Sequence, residues 1–217
     1  MFMLAVLAVV LRAATAIPQP EVFRRACTSK GVVANFDTLD PPVPGNPLNP
    51  IPDTYIRGLS FKAITYGSIS EVSLPAGNSL VPYLKPNTPS NVANAGLVGK
   101  LSQGIPTISA TKAGDFFTIK DFTYGCRIAN LPVPCNFFLI GYTLSGTQKG
   151  AFKFSYEPPG TAGPQAMKST KGNDNFDEYF TDVAYIQLTD VTDKDSVTSP
   201  TTVVVLDTLE LILSMCT

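Results

Sequence analysis

Apolar and β-branched residues fall in short runs along this chain, and two of them, Phe116–Tyr124 and Asn136–Leu144, dominate its middle. Runs of this length and composition predict strands. Neither alternates cleanly. Phe116 and Phe117, then Phe137, Phe138, Leu139 and Ile140, put apolar groups on both faces, as central strands of a packed sandwich do. The break between the runs carries Cys126, Pro132, Pro134 and Cys135, and predicts a hairpin connection.

The same reading extends outward. Gly31–Phe36 predicts a short strand, and Arg57–Tyr66 another with Leu59, Phe61 and Ala63 on one face. Ile105–Ala110 follows, then the central pair, then Gly150–Tyr156, where Phe152, Phe154 and Tyr156 alternate with Ala151, Lys153 and Ser155. Val183–Thr189 alternates again, and Thr202–Leu213 forms a terminal strand. Between them lie a proline-rich arm at 40–53 and two irregular stretches at 67–104 and 160–178. The only helical feature is a turn around Asn175–Phe180. About eight strands with turn clusters between them predict an all-β fold, an antiparallel β-sandwich of jelly-roll type with long irregular loops.

The first sixteen residues, MFMLAVLAVVLRAATA, have the apolar core and small-x-small ending of a secretory signal peptide. Residues 17–25 end in Arg24-Arg25, a pair that reads equally as a processing site for a propeptide or as a basic pair in a loose terminus. The expected organisation is therefore 1–16 signal peptide, 17–25 either a propeptide or a loose terminus, and 26–217 a single sandwich domain, secreted and extracellular. In that compartment Cys27, Cys126, Cys135 and Cys216 should be oxidised, and four cysteines allow three pairings. Position favours Cys126–Cys135 across the short loop and Cys27–Cys216 across the ends, since the termini of a domain often lie close.

Composition narrows the chemistry. With no histidine, Ser-His-Asp and Cys-His catalysis are excluded, as are imidazole metal ligands. A net charge of -1 gives no pull toward nucleic acid or an anionic membrane, so neither is an expected partner.

Several motifs together resemble a group of uncharacterised secreted proteins of filamentous fungi. They are Phe36-Asp37-x-Leu39, the arm ending IPDTYIRGLSF, Asn91-Val92-Ala93, the FTYGC…VPC…GYTL core and the late VVVLDTLEL run. The resemblance spans most of residues 31–213. It implies a galactose-binding-like jelly roll and an extracellular location, and it brings no catalytic residues. Thr208 departs from the pattern, in which Asn commonly follows the Leu-Asp pair.

Carboxylates are then the acid/base groups left, and a glycoside hydrolase or lyase would need two of them facing each other. Asp174, Asp177 and Glu178, and Asp190, Asp193 and Asp195, sit instead in polar turns without apolar neighbours to raise a pKa. The second cluster has spacing that could hold calcium, although it lacks the glycine and terminal glutamate of a calcium loop. Asp37 and Asp207 end or interrupt apolar strands and should bond backbone amides where the first and last strands meet. Tyr55, Tyr83 and Tyr179 fall in irregular segments and are the candidates for stacking on a sugar, against the alternative that they cap the core. The expectation is a binding protein without catalysis or cofactor, its ligand a wall or host glycan. An effector or surface protein with an extracellular protein partner is the alternative, and a carboxylate-based hydrolase or lyase stands third.

Overall fold

The structure is a computed structural model that describes residues 26–39, 49–68, 82–88, 91–96, 104–129, 131–171, 173, 176–193, 195, 197–199 and 201–217. The expected signal peptide, propeptide and most of the proline-rich arm lie outside the described residues. In chain order the strands are β1 (Cys27–Ala34), β2 (Leu59–Lys62), β3 (Thr65–Ser68), β4 (Tyr83–Lys85), β5 (Asn91–Ala95), β6 (Thr107–Ala110) and β7 (Phe116–Ile128). They continue with β8 (Leu131–Pro132), β9 (Cys135–Tyr142), β10 (Gln148–Tyr156), β11 (Pro164–Ala166), β12 (Lys168–Ser169), β13 (Tyr185–Thr192) and β14 (Val203–Cys216). One helical turn, α1 (Phe176–Tyr179), precedes β13.

Two antiparallel sheets make the expected sandwich. One runs β12-β7-β14-β5-β3, with β1 also on β14 and β8 also on β7; the other runs β10-β9-β13-β6-β2. The chain passes between the sheets at most steps, in jelly-roll fashion, so neither sheet folds without the other. A parallel pair, β4 with β11, lies outside both.

β14 is the axis of the first sheet. Along one edge it pairs with β7 from Val203↔Arg127 to Ser214↔Phe116. Along the other it takes two partners in turn: β5 opposite Val204–Leu206, then β1 opposite Leu209–Cys216. Asp207 and Thr208 lie at the change of partner, where the register with β7 also shifts.

The core comes from both sheets, and of the two central runs only β7 is buried on both faces. Tyr124 meets Phe137 edge-on at 5.4 Å between ring centres, Phe137 stacks on Phe154 at 5.2 Å, and Phe122 closes on Phe154 at 5.2 Å. Such pairs contribute about 0.5–1.5 kcal/mol each beyond area burial. Along β9 burial alternates strictly, with Phe137 and Leu139 inward.

Four expectations are corrected. The central runs are not a hairpin: β7 and β9 belong to different sheets, and the Pro-bearing segment between them crosses the sandwich. Arg57–Tyr66 is two strands in two sheets, broken at Ala63, whose φ of 57° turns the chain. The stretch 67–104 is not all irregular, because β5 is a buried strand of the first sheet. Its Asn91 and Asn94 hide it from an apolar pattern and find partners in the Leu39 carbonyl and the Arg127 guanidinium. The stretch 160–178 likewise contains β11, β12 and the start of α1.

Both expected disulfides are present. Cys126–Cys135 joins the two sheets, with 6.1 Å between Cα atoms, and Cys27–Cys216 clasps the first strand to the last, with 4.1 Å. Loop entropy assigns about 5 kcal/mol to the long clasp and about 3 to the short staple, as upper values. Replacing Cys27 and Cys216 with Ser should therefore lower the unfolding free energy more than the same change at Cys126 and Cys135. Denaturant titration of the two double variants compares them; the reverse order would refute the entropic account.

Candidate functional site

The structure separates the three candidate tyrosines. Tyr179, on α1, is 37% exposed and packs edge-on against Phe152 at 5.9 Å. It also lies so close over Gly150 that any side chain there would strike it. Tyr83 is half-buried at the head of β4, its amide bonded to the Gly163 carbonyl. Tyr55 precedes β2, and no ring contact joins the three among the described residues.

Of the three, Tyr55 is the one that lies on a sizeable concavity among the described residues. It lines an open cleft of about 680 Å³ at the margin of the sandwich, within the size range of ligand sites. The cleft forms because the two sheets end at different strands. β1 is an edge of the first sheet and β2 an edge of the second. Lys30 and Val32 of β1 stand opposite Leu213 and Leu211 of β14, and these leucines face the core. The loop before β2 supplies Tyr55, Ile56 and Arg57, and Asn35 and Thr38 close the remaining side. Gly58 holds that loop down: it sits at φ 101°, and a Cβ there would come within 2.8 Å of the Leu213 side chain.

Tyr55 is fixed from behind. Its ring stacks on Phe36 at 5.6 Å and meets Phe61 at 6.3 Å, and its hydroxyl accepts the Phe36 amide at 2.6 Å. Phe36 itself has φ 61°, a conformation a bulky residue adopts only when its surroundings impose it. Burial raises the Tyr55 hydroxyl pKa, opposed by the Phe36 amide and a Thr38 hydrogen bond and reinforced by the charges of Asp37 and Asp207. Tyr55 is thus both a wall of the cleft and a part of the core, where the sequence posed these as alternatives.

Behind it lies the polar cluster foreseen at Asp37 and Asp207. Asp207 is 0% exposed. Its carboxylate accepts the Thr88 amide at 2.9 Å, the Thr88 hydroxyl at 2.8 Å and the Thr208 amide at 2.7 Å. Asp37 accepts the Asn91 amide at 3.1 Å. Most of these amides come from the segment leading into β5, not from the meeting of first and last strands. Burial raises the Asp207 carboxyl above its ordinary value, outweighing the Thr88 and Thr208 hydrogen bonds that favour the charged form.

The acidic turns present no comparable site. Asp193 spends one carboxylate oxygen on the amides of Asp195 and Val197, both at 2.9 Å. Among the described residues no three Asp, Glu, Cys or His side chains converge as a metal would require, and Asp174 lies outside those residues. Asp190 does line a smaller pocket of about 140 Å³ with Thr198, Ser199 and Thr202, at an irregularity in β13. Lys30 and Arg57 are the residues the sequence reading missed. Lys30 carries a legible signal, a charge two positions before Val32 on the inward side of an edge strand; Arg57 carries none.

No family model matches the sequence, and no curated protein matches it. Among solved structures, a DUF4465 family protein from Bacteroides caccae is similar, with 11% identity and a TM-score of 0.49. The alignment covers 84% of this chain and 98% of that one. A likeness this distant carries no function across.

Two outcomes follow. Tyr55→Ala should lower stability by about 2 kcal/mol, from lost ring packing and an orphaned amide, while Tyr55→Phe loses about 1 kcal/mol through the hydroxyl alone. Equal losses in denaturant titration would show that the ring packs nothing.

The second concerns pH. Because folding raises the Asp207 pKa, the folded chain holds that proton more tightly than the unfolded one. The stability Asp207 contributes is complete below its ordinary value of 3.8 and is lost as pH rises through the folded value. The unfolding free energy of the wild type, relative to the non-titrating Asp207→Asn, should fall as pH rises through that window. A rise would overturn the assignment.

Proposed function

We propose that this is a secreted, non-catalytic binding protein that holds a segment of glycan chain in the cleft beside Tyr55. The observation that carries the reading is a rigidly held aromatic ring on an open cleft, with Asn35, Thr38, two cations and apolar surface. Sugars present C–H faces to rings and hydroxyls to polar neighbours, and an open cleft suits a chain better than a small molecule. Among the described residues no carboxylate lines the cleft, which supports binding over hydrolysis. Two disulfides in a small β-sandwich are compatible with an extracellular setting.

A second reading, an extracellular protein partner, has its own support in β1. Outside its pairing with β14 that edge is unpaired among the described residues, and Val33 on it is 61% exposed. Such an edge can accept a strand from another chain.

The chain has no tryptophan and eight tyrosines, so ligand stacking can be followed in tyrosine fluorescence. Titration with soluble wall polysaccharides should give saturable binding. Tyr55→Ala, studied well below its melting point, should weaken it by about 1–3 kcal/mol, by analogy with base stacking. Release of new reducing ends from any of these polymers would overturn the non-catalytic reading. Failure to bind any of them, with strand-mediated capture of a protein, would favour the second.

A further inference from the structure

We infer that the cleft is built for an acidic glycan, one carrying carboxylate or sulfate groups that Lys30 and Arg57 hold. The inference rests on the reading of the cleft as a glycan site and adds the class of sugar.

Lys30 and Arg57 are the only charged side chains on the cleft among the described residues, and both are exposed. Neither has a hydrogen-bond or ion-pair partner among the described residues. Three described carboxylates in the surrounding segments have partners elsewhere. Asp53, in the same loop as Arg57, accepts the Ser60 hydroxyl at 2.9 Å. Asp37 accepts the Asn91 amide, and Asp207 is enclosed by Thr88 and Thr208. None of the three lines the cleft.

Two like charges on one concave surface repel each other, and an anion placed between them relieves that repulsion. The chain as a whole is at -1, so the attraction is local to this cleft and not a property of the surface at large. The two cations are complementary in kind. A guanidinium offers a planar fork that matches a carboxylate or sulfate with two parallel hydrogen bonds, and an ammonium acts as a compact point charge. Val32, Ile56 and Leu213 add apolar surface to the same cleft, and Tyr55 offers its ring. A sugar chain bearing anionic groups at intervals presents to such a surface the C–H faces and charges it lacks. A neutral glycan would use the apolar surface and leave both cations unanswered.

Binding to polygalacturonate, its fully methyl-esterified form, dextran sulfate and dextran tests this. The wild type is compared with Lys30→Gln/Arg57→Gln, whose exposed sites should leave the melting temperature unchanged. The acidic polymers should bind at least about tenfold more tightly than their neutral counterparts, and more weakly as salt rises. The double variant should lose that preference. Binding of dextran sulfate alone, or of polygalacturonate alone, supports the inference and identifies the acid. Equal binding of acidic and neutral forms, unchanged in the double variant, overturns the acidic class and leaves the glycan reading standing. Binding of none of the four polymers overturns both.

Discussion

A buried carboxylate, Asp207, sits where the longest strand of the first sheet changes neighbour. β14 hands its outer edge from β5 to β1 across Asp207 and Thr208, and at that handover the backbone has no strand opposite it on that side. Unpaired backbone in a buried place is costly. The side chain resolves the gap by turning to the segment before β5 and accepting the amide and hydroxyl of Thr88. Asp37 performs the same service for Asn91 just beyond, and the Thr88 hydroxyl also lies 3.3 Å from the Asn35 carbonyl. The entry to β5, the exit from β1 and the middle of β14 are thereby fixed to one another. Without that tie a strand as polar as Asn91–Ala95 would have little reason to take its place in the sheet.

The same tie shapes the cleft. Holding Asp37 against Asn91 forces the chain to leave β1 sharply, and Phe36 takes up the turn at φ 61°. Its amide then points to the Tyr55 hydroxyl and its ring lies under the Tyr55 ring. Structure and candidate function are coupled here through a single residue. The ring that would meet a ligand cannot swing, because its other face and its hydroxyl are both engaged. A ring fixed in this way loses little freedom on meeting a sugar, so more of the contact energy appears as affinity.

The sequence made some of this legible and concealed the rest for identifiable reasons. The sandwich followed from runs such as Phe137–Ile140, apolar on both faces, and the disulfides from where the cysteines sit. That Asp37 and Asp207 would bond amides followed from charge inside apolar surroundings; which amides did not, because Thr88 and Asn91 lie far away in the chain. β5 was concealed because Asn91 and Asn94 look solvent-facing until Leu39 and Arg127 are seen beside them. The break at Ala63 was concealed because alanine carries no turn signal, and its φ of 57° is imposed by the two sheets it joins. Tyr55, Tyr83 and Tyr179 looked alike because aromatic residues in irregular segments give no sign of what lies behind them. The cleft joins Lys30 to Arg57 through the third dimension, and no local pattern records that.

The two cations do not bear equal weight in the functional reading. An inward-pointing lysine on an exposed edge strand has a structural purpose of its own, since it discourages another strand from pairing there. With Val33 exposed three positions along, β1 has need of such a guard. Lys30 would therefore earn its place with no ligand at all. Arg57 is different. It precedes β2 and guards no edge backbone, it neutralises no described carboxylate, and it sits beside a ring already locked in position. Edge protection explains one charge on the cleft and leaves the other without a structural task, so the case for an anionic ligand stands chiefly on Arg57.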